Sequence, residues 1–322
     1  THTVQSTGQS GLRKPAQHLI ADPTDKYLPT CSDTRLQWHP FCIPSGTALL
    51  EPPPVTQPPC TDRRRTQVLF PTSAEHAAIL ATRHQAPFIA GASAAQLGWN
   101  KACIWPEQAI SLQGLEQLRG CRRALDHWCI GALTRLSELT SNSTLCSELP
   151  AFGESLLGVG APGIRHLATL GGNIGFGGDL LPLLLVLDTQ LDWLQGGSDI
   201  QQSALNDWLT KPPAHALITQ VRIPLPSPQQ RIQMEKLASR EAFNPPLLNI
   251  ASSWHWAQPE NIRLAAGGAG LTPRRLSSCE QAFSGDATLI PTADTLLPLL
   301  ARDLPELADR PLLPIAANLL LD

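Results

Sequence analysis

Five glycines fall within eight residues, at positions 171–178, directly ahead of the apolar run at 180–187. Glycine adopts positive φ without a steric penalty, so such a cluster marks a sharp turn or a close approach to the backbone. One interpretation is therefore purely structural. The other is a cradle of main-chain N–H groups where a loop enters a helix, which is an arrangement that binds phosphate. This segment alone leaves both interpretations open.

Composition excludes several classes of partner. The 322 residues carry a net charge of −3, so no nucleic-acid surface and no affinity for anionic membranes are expected. The longest apolar run, at 180–187, is far shorter than the roughly 20 residues of a membrane span. The N-terminal residues lack the apolar core of a signal peptide, and we therefore expect a cytoplasmic protein.

The eight cysteines show no C-x-x-C spacing, so no metal or iron–sulfur site is predicted on this chain. We expect reduced and mostly buried thiols, because disulfides are rare in cytoplasmic proteins.

Three regions of the sequence differ in composition and in secondary-structure pattern. Residues 1–66 hold seven prolines between Pro40 and Pro59, which predicts an extended N-terminal extension or linker. Residues 67–228 alternate helix and strand patterns and are expected to form two lobes with a boundary near residue 120. Residues 229–322 read as a C-terminal α+β domain, in which three successive strands form an antiparallel sheet covered on one face by helices.

Local patterns predict several elements. The stretch "TSAEHAAILATRH" predicts a helix capped by Thr72 or Ser73, and "FIAGAS" predicts a short strand entering a glycine loop. "SELPAFGESLLGVG" predicts a helix with Ser147 as its cap. Asp188 precedes the strand pattern "QLDWLQ" and Asp192 lies within it; an acid–base pair is one interpretation, and solvation at the strand end is favoured.

The two glycine loops differ in how strongly each indicates a phosphate-binding site. Neither matches the G-x-G-x-x-G dinucleotide fingerprint or the G-x-x-x-x-G-K-[ST] phosphate loop. "FIAGAS" alone favours a structural turn. "TLGGN" favours a nest of N–H donors, because paired glycines are followed by Asn173, which tolerates the left-handed conformation.

Four stretches occur in a characteristic order: "FIAGAS", "IRHLATLGGNI", "GDLLPLLLVLD" and "EKLASRE". Together they resemble the flavin-binding subunit or domain of molybdenum hydroxylases, the xanthine dehydrogenase and carbon monoxide dehydrogenase group. The similarity runs from about Gln67 to the C-terminus. It implies an α+β fold, with a two-lobed PCMH-type FAD-binding domain followed by a C-terminal domain with a three-stranded antiparallel sheet and helices.

The resemblance also implies which residues bind FAD. Its first loop would wrap the pyrophosphate, and its second would complete the cradle. An aspartate would bind ribityl hydroxyls, and a lysine near the isoalloxazine would favour the reduced, anionic flavin. The matching positions here are Ala90, Gly91, Ala92, Ser93, Ala94 and Gly98 for the first loop, Thr169, Gly171, Gly172 and Asn173 for the second, then Asp179 and Lys236.

The implied function is that of an oxidoreductase subunit. Electrons would leave a molybdenum cofactor on a molybdopterin-binding subunit, cross the clusters of a 2Fe-2S subunit, and pass through FAD on this chain to NAD+ or another acceptor. The flavin carries the redox chemistry, so no catalytic side chain is predicted here.

Two alternatives stay open. Ala92 and Ala94 stand where the family's first loop usually continues with glycine and an Asp or Asn, and the second loop is shortened to 174–178. These departures favour a flavin-free scaffold subunit of the same type of complex. A flavoenzyme of the vanillyl-alcohol-oxidase type acting alone is less well supported, because no acid–base pocket is evident.

Overall fold

In this computed structural model the structure describes residues 66–96, 106–197, 199–238, 246–255, 257–268, 270–284 and 291–321. All of them belong to one compact unit of the chain, residues 59–322. The predicted N-terminal extension lies outside the described residues except for Thr66. No helix in the described ranges is long and apolar enough to cross a membrane.

The first lobe is a small parallel sheet with one helix. Strands β1 (Gln67–Leu69), β2 (Phe88–Ile89) and β3 (Gln108–Ser111) pair in the order β1-β3-β2. Helix α1 (Ala74–His84) connects β1 to β2 and buries a face of small alanines. The Ser73 hydroxyl accepts the N–H of His76 at 3.1 Å, which confirms the helix and selects Ser73 from the two cap candidates.

The second lobe is built on a five-stranded antiparallel sheet in the order β4-β5-β8-β6-β7. Its strands are β4 (Cys121–Arg123), β5 (His127–Gly131), β6 (Gln190–Leu194), β7 (Gln201–Ala204) and β8 (Leu217–Pro224), with one further helix, α8 (Leu205–Thr210). Between β5 and β6 lies a chain of short helices: α2 (Leu136–Thr140), α3 (Ser143–Glu148), α4 (Pro150–Leu157), α5 (Pro162–Arg165), α6 (Leu170–Phe176) and α7 (Leu181–Val186).

The predicted cap at Ser147 is wrong. Ser147 lies in the last turn of α3, which Asn142 caps by accepting the N–H of Leu145 at 3.0 Å. The chain breaks at Leu149 instead, with φ −128° and ψ 67°. Pro150 causes this break, because a proline drives the preceding residue out of the helical region and fits the first position of the next helix.

Four antiparallel strands form the C-terminal sheet in chain order: β9 (Gln230–Ala238), β10 (Pro246–His255), β11 (Gln258–Gly268) and β12 (Leu271–Arg275). The three predicted strands are present, and β12 adds a fourth. Helices α9 (Ser277–Phe283), α10 (Ala293–Asp303) and α11 (Leu312–Leu319) complete the chain and share a core with Leu248 and Ile250 of β10.

The C-terminal sheet is covered on both faces, not on one as predicted. Ile250 packs into the core shared with α9–α11, whereas its neighbour Ala251 belongs to the core of the second lobe. Helix α7 lies on that second face and contacts all four strands β9–β12. Every residue of α7 is buried, as expected for a helix that is apolar all round.

Asp188 and Asp192 are both in ion pairs. Asp192 is only 6% exposed and is bound by Arg222, whose Nη2 lies 2.5 Å from Oδ1, so the prediction of a solvated side chain is wrong there. Asp188 is half-exposed after α7 and lies 2.6 Å from Arg263. Each carboxylate therefore has a structural partner, and the two do not form an acid–base pair.

Thr189 offers a test of the core between α7 and β6. Its side chain is 1% exposed and its hydroxyl has no hydrogen-bond partner within the described residues. We expect Thr189→Val to raise the free energy of unfolding by about 1 kcal/mol, because an unsatisfied buried polar group is removed. Chemical denaturation measures the change.

Thr219→Val is the matched control. The Thr219 hydroxyl donates to the Asp192 carbonyl at 3.0 Å, and Thr219 is also buried, at 8% exposed. Its loss should lower the free energy of unfolding by about 1 kcal/mol. Equal destabilisation by both substitutions would contradict the assignment at Thr189.

Candidate functional site

A glycine brings the two predicted FAD-binding segments into contact. Gly91 lies just after β2, and a Cβ added to it would fall 1.6 Å from the carbonyl oxygen of Leu167, in the segment that leads to "TLGGN". Such a distance is impossible for a real Cβ, so only glycine allows this approach. The first loop and the second segment are therefore adjacent, as the sequence expectation requires.

The first segment turns abruptly into a helix. Ala92 has φ +56°, in the left-handed region that favours glycine. A helical turn begins at Ser93, and the N–H of Gln96 donates to the Ala92 carbonyl at 3.0 Å. The amides of Ser93, Ala94 and Ala95 thus belong to a first helical turn, whose N–H groups no intrahelical carbonyl reaches. Gly98 lies outside the described residues.

The second segment is a capped helix start rather than an open loop. The Thr169 hydroxyl accepts the N–H of Gly172 at 3.1 Å, and the Thr169 carbonyl accepts that of Asn173 at 2.9 Å. The amides of Leu170 and Gly171 donate to the carbonyls of Thr134 and Ala132 at 3.0 and 2.8 Å. The expected nest of free N–H donors is therefore absent at residues 170–173, since each of these amides is already bound within the protein.

The glycines after Thr169 serve packing and turning. A Cβ on Gly171 would lie 2.7 Å from the Cβ of Ala132, and one on Gly178 would lie 2.2 Å from Nδ2 of Asn173. Gly177 ends α6 with φ +78°. The structural interpretation of the glycine cluster accounts for these three positions, while Gly172 remains exposed and presents a backbone without a Cβ.

Asp179 and Lys236 form an ion pair. Lys236, on β9, donates from Nζ to Oδ2 of Asp179 at 2.7 Å and to the Gly158 carbonyl at 2.8 Å. Both side chains are 20% exposed. The aspartate expected at the ribityl chain and the lysine expected at the isoalloxazine are thus brought together from distant parts of the chain.

Two residues of this neighbourhood were missed in the sequence. Arg165 donates from Nη1 to the carbonyls that follow α4, including Gly160 at 2.7 Å, and Asn249 on β10 donates from Nδ2 to the Asp179 carbonyl at 3.0 Å. Cations near a helix C-terminus complement the helix dipole. The position of Arg165, shortly after the predicted helix ends, was therefore an available signal in the sequence. Nothing local signals Asn249.

The predicted residues form a continuous path through the molecule. Gly91 contacts Leu167, the adjoining Thr169 caps α6, and Asn173 accepts the N–H of Leu180 at 3.4 Å beside Asp179. Lys236 completes the path. No group of three or more His, Cys, Asp or Glu side chains suited to a metal ion occurs in the described ranges. These residues could provide a bound cofactor with hydrogen-bonding groups and with the ion pair of Asp179 and Lys236, whose charges neutralise each other.

Both glycine segments lie within a region of the chain that matches a known protein family. A family model described as the FAD binding domain in molybdopterin dehydrogenase matches residues 64–226, half of the chain. The chain belongs to this family. Membership confirms the resemblance on which the site residues were chosen.

Two similar proteins support the assignment to this family. The chain is 30% identical over 139 residues to the carbon monoxide dehydrogenase medium chain of Afipia carboxidovorans, covering 41% of this chain and 48% of that protein. It is 26% identical over 223 residues to the xanthine dehydrogenase FAD-binding subunit of Escherichia coli O157:H7, covering 65% and 76%. The match thus spans about half the length of the first relative.

Solved structures show the same fold. The carbon monoxide dehydrogenase from Hydrogenophaga pseudoflava superimposes with a TM-score of 0.68 at 19% identity, over 80% of this chain and 94% of that one. At such identity the likeness concerns the fold alone. It confirms the predicted α+β fold class.

Gly91→Ala tests the contact between the two segments. The added Cβ would collide with the main chain at Leu167, which cannot swing away as a flexible side chain could. We expect a loss of about 2 kcal/mol in the free energy of unfolding, as for other overpacked sites.

Gly175→Ala is the control, because a Cβ there, inside α6, meets nothing within 4 Å. It should raise stability by about 0.5 kcal/mol, the helix preference of alanine over glycine. A Gly91→Ala chain as stable as Gly175→Ala would show that the segments do not touch.

Proposed function

We propose that this chain binds FAD and acts as the electron-transfer subunit of a molybdenum hydroxylase complex. The observation that carries the proposal is the contact between Gly91 and Leu167, which joins the two family segments across the fold. Membership of the FAD-binding family supports it. The flavin would supply the hydride and electron chemistry when bound, and the protein would position it.

The first segment is the better candidate for the pyrophosphate. Two negative charges suit the unreached amides of Ser93, Ala94 and Ala95 at a helix start. The turn at Gly91 and Ala92 would direct these amides toward a pyrophosphate beside Ala90, while the Cβ of Ala92 limits how close it can come. The second segment would contribute by close approach at Gly172, next to the Thr169 hydroxyl, because its own amides are engaged.

Asp179 and Lys236 would serve the rest of the cofactor. Within the described part of the chain Asp179 engages Lys236 through Oδ2, which leaves Oδ1 to accept hydrogen bonds from ribityl hydroxyls. Lys236 uses two of its three N–H groups and shares its charge with Asp179. We infer that it favours reduced, anionic flavin less strongly than an unpaired lysine would.

The partners follow from the same proposal. We propose that a molybdopterin-binding subunit and a 2Fe-2S subunit deliver electrons to this chain, and that NAD+ or another acceptor removes them in the cytoplasm. The relatives' names, a medium chain and a FAD-binding subunit, support a place in a larger assembly. Exposed apolar side chains around the second segment, at Leu157, Ile164, Leu167 and Phe176, are suited to burial against another subunit.

Flavin content is the decisive measurement. The full chain, purified with its co-expressed partner subunits, should release one FAD per chain on denaturation, as measured by absorbance and mass spectrometry. A folded complex that releases no FAD and oxidises its substrate only with dyes accepting electrons from the clusters contradicts the proposal.

That outcome would instead support a flavin-free scaffold. Two observations favour this second candidate: the internal hydrogen bonds of the amides at residues 170–173, and the Cβ of Ala92 in the first loop. Both reduce the backbone surface open to a diphosphate.

Ala92→Gly tests the first loop. Alanine at φ +56° carries a steric cost that glycine lacks, partly offset by the entropy of glycine in the unfolded chain. We expect the free energy of unfolding to rise by about 0.5 kcal/mol. We also expect tighter FAD binding in a fluorescence titration, because the pyrophosphate can come closer.

Ala94→Gly, in the following helical turn, is the control. It should lower stability by about 0.5 to 1 kcal/mol, since glycine is a poorer helix former than alanine. Identical effects of the two substitutions would contradict the left-handed conformation of Ala92.

A further inference from the structure

Asn249 and Lys236 are direct neighbours across two strands. They are register partners between β10 and β9, so their side chains project from the same face of the C-terminal sheet. That face is the one covered by α7, because Ala251, two residues further along β10, packs into the core that contains α7. On the other side Asn249 pairs with Gly267 of β11, which has no side chain to crowd it.

Both neighbours bind the same residue. Nζ of Lys236 lies 2.7 Å from Oδ2 of Asp179, and Nδ2 of Asn249 lies 3.0 Å from the Asp179 carbonyl oxygen. One strand therefore holds the side chain of Asp179 while the adjacent strand holds its main chain. Together these bonds leave Asp179 little freedom to rotate.

Stability alone does not explain an amide at position 249. Asn249 is 1% exposed, and its Oδ1 has no hydrogen-bond partner within the described residues. A buried acceptor without a donor is unfavourable, and a leucine of similar volume would avoid this penalty. What only the amide provides is the N–H bond to the Asp179 carbonyl.

We propose that Asn249 is a positioning residue for the flavin site, acting through Asp179. By fixing the main chain at Asp179, it keeps the second carboxylate oxygen oriented for a ribityl hydroxyl while Lys236 occupies the first. This inference rests on the proposed function, namely that the chain binds FAD. It adds to Lys236 a second residue of the C-terminal sheet, outside the segment matched by the family model, with a role in cofactor binding.

The test is a FAD titration of the full chain after its flavin has been removed with a chaotrope. Asn249→Leu should raise the Kd for FAD about tenfold, the effect of losing one hydrogen bond that orders the site. Its melting temperature without FAD should stay close to that of the wild type, because the lost N–H bond and the removed orphan oxygen offset one another.

Two further variants separate positioning from general damage. Thr189→Val also removes an orphan polar atom from the core and should leave the Kd unchanged. Asn249→Asp keeps the shape of the side chain and replaces the donating nitrogen with an acceptor. Asn249→Asp should raise the Kd for FAD at least as much as Asn249→Leu does. If the leucine variant does not fold, the aspartate variant still tests the inference.

An Asp179→Ala background gives the sharpest comparison. If Asn249 acts through the Asp179 carboxylate, Asn249→Leu should have no further effect on the Kd there. The same fold increase in both backgrounds, or an unchanged Kd in the single variant, overturns the inference while the proposed function stands. A wild-type chain that binds no FAD overturns both.

Discussion

Helix α7 has no side facing water, and the arrangement of the rest of the molecule depends on that constraint. Its six residues need apolar neighbours all round. The second lobe supplies some of them, and Ala251 and Ala265 of the C-terminal sheet share the same core. Asp179 lies two residues before α7 and is partly exposed to solvent. Its carboxylate therefore lies where the second lobe meets the C-terminal sheet.

Local elements were largely predictable, because their causes are local. The Ser73 cap, the apolar run of α7 and the alternating strands are all properties of neighbouring residues. β12 was missed because Pro273 and two arginines make "LTPRR" a poor strand pattern. An edge position tolerates such a proline, and the position of β12 at the sheet edge is decided by the whole sheet.

The residues proposed for the site were selected by resemblance, and their mutual geometry could not be predicted from the sequence. Resemblance selected Gly91, Asp179 and Lys236, but neither the contact of Gly91 with Leu167 nor the ion pair follows from spacing. The amides of "TLGGN" were expected to be free because "TLGGN" was interpreted as a loop. The carbonyls that engage two of them belong to Ala132 and Thr134, more than thirty residues earlier in the chain. Asp192 was misjudged for the same reason, since Arg222 lies on a different strand.

The position of α7 also bears on where this protein can be divided. The family model ends at residue 226, after β8, which invites the isolation of a flavin domain by truncation there. Such a fragment would keep α7 and lose the sheet that covers one side of it. Leucine side chains would then face water beside an aspartate deprived of its lysine. Residue 226 therefore does not separate two independently packed cores, because the C-terminal strands bury one side of a helix that lies inside the segment defining the family.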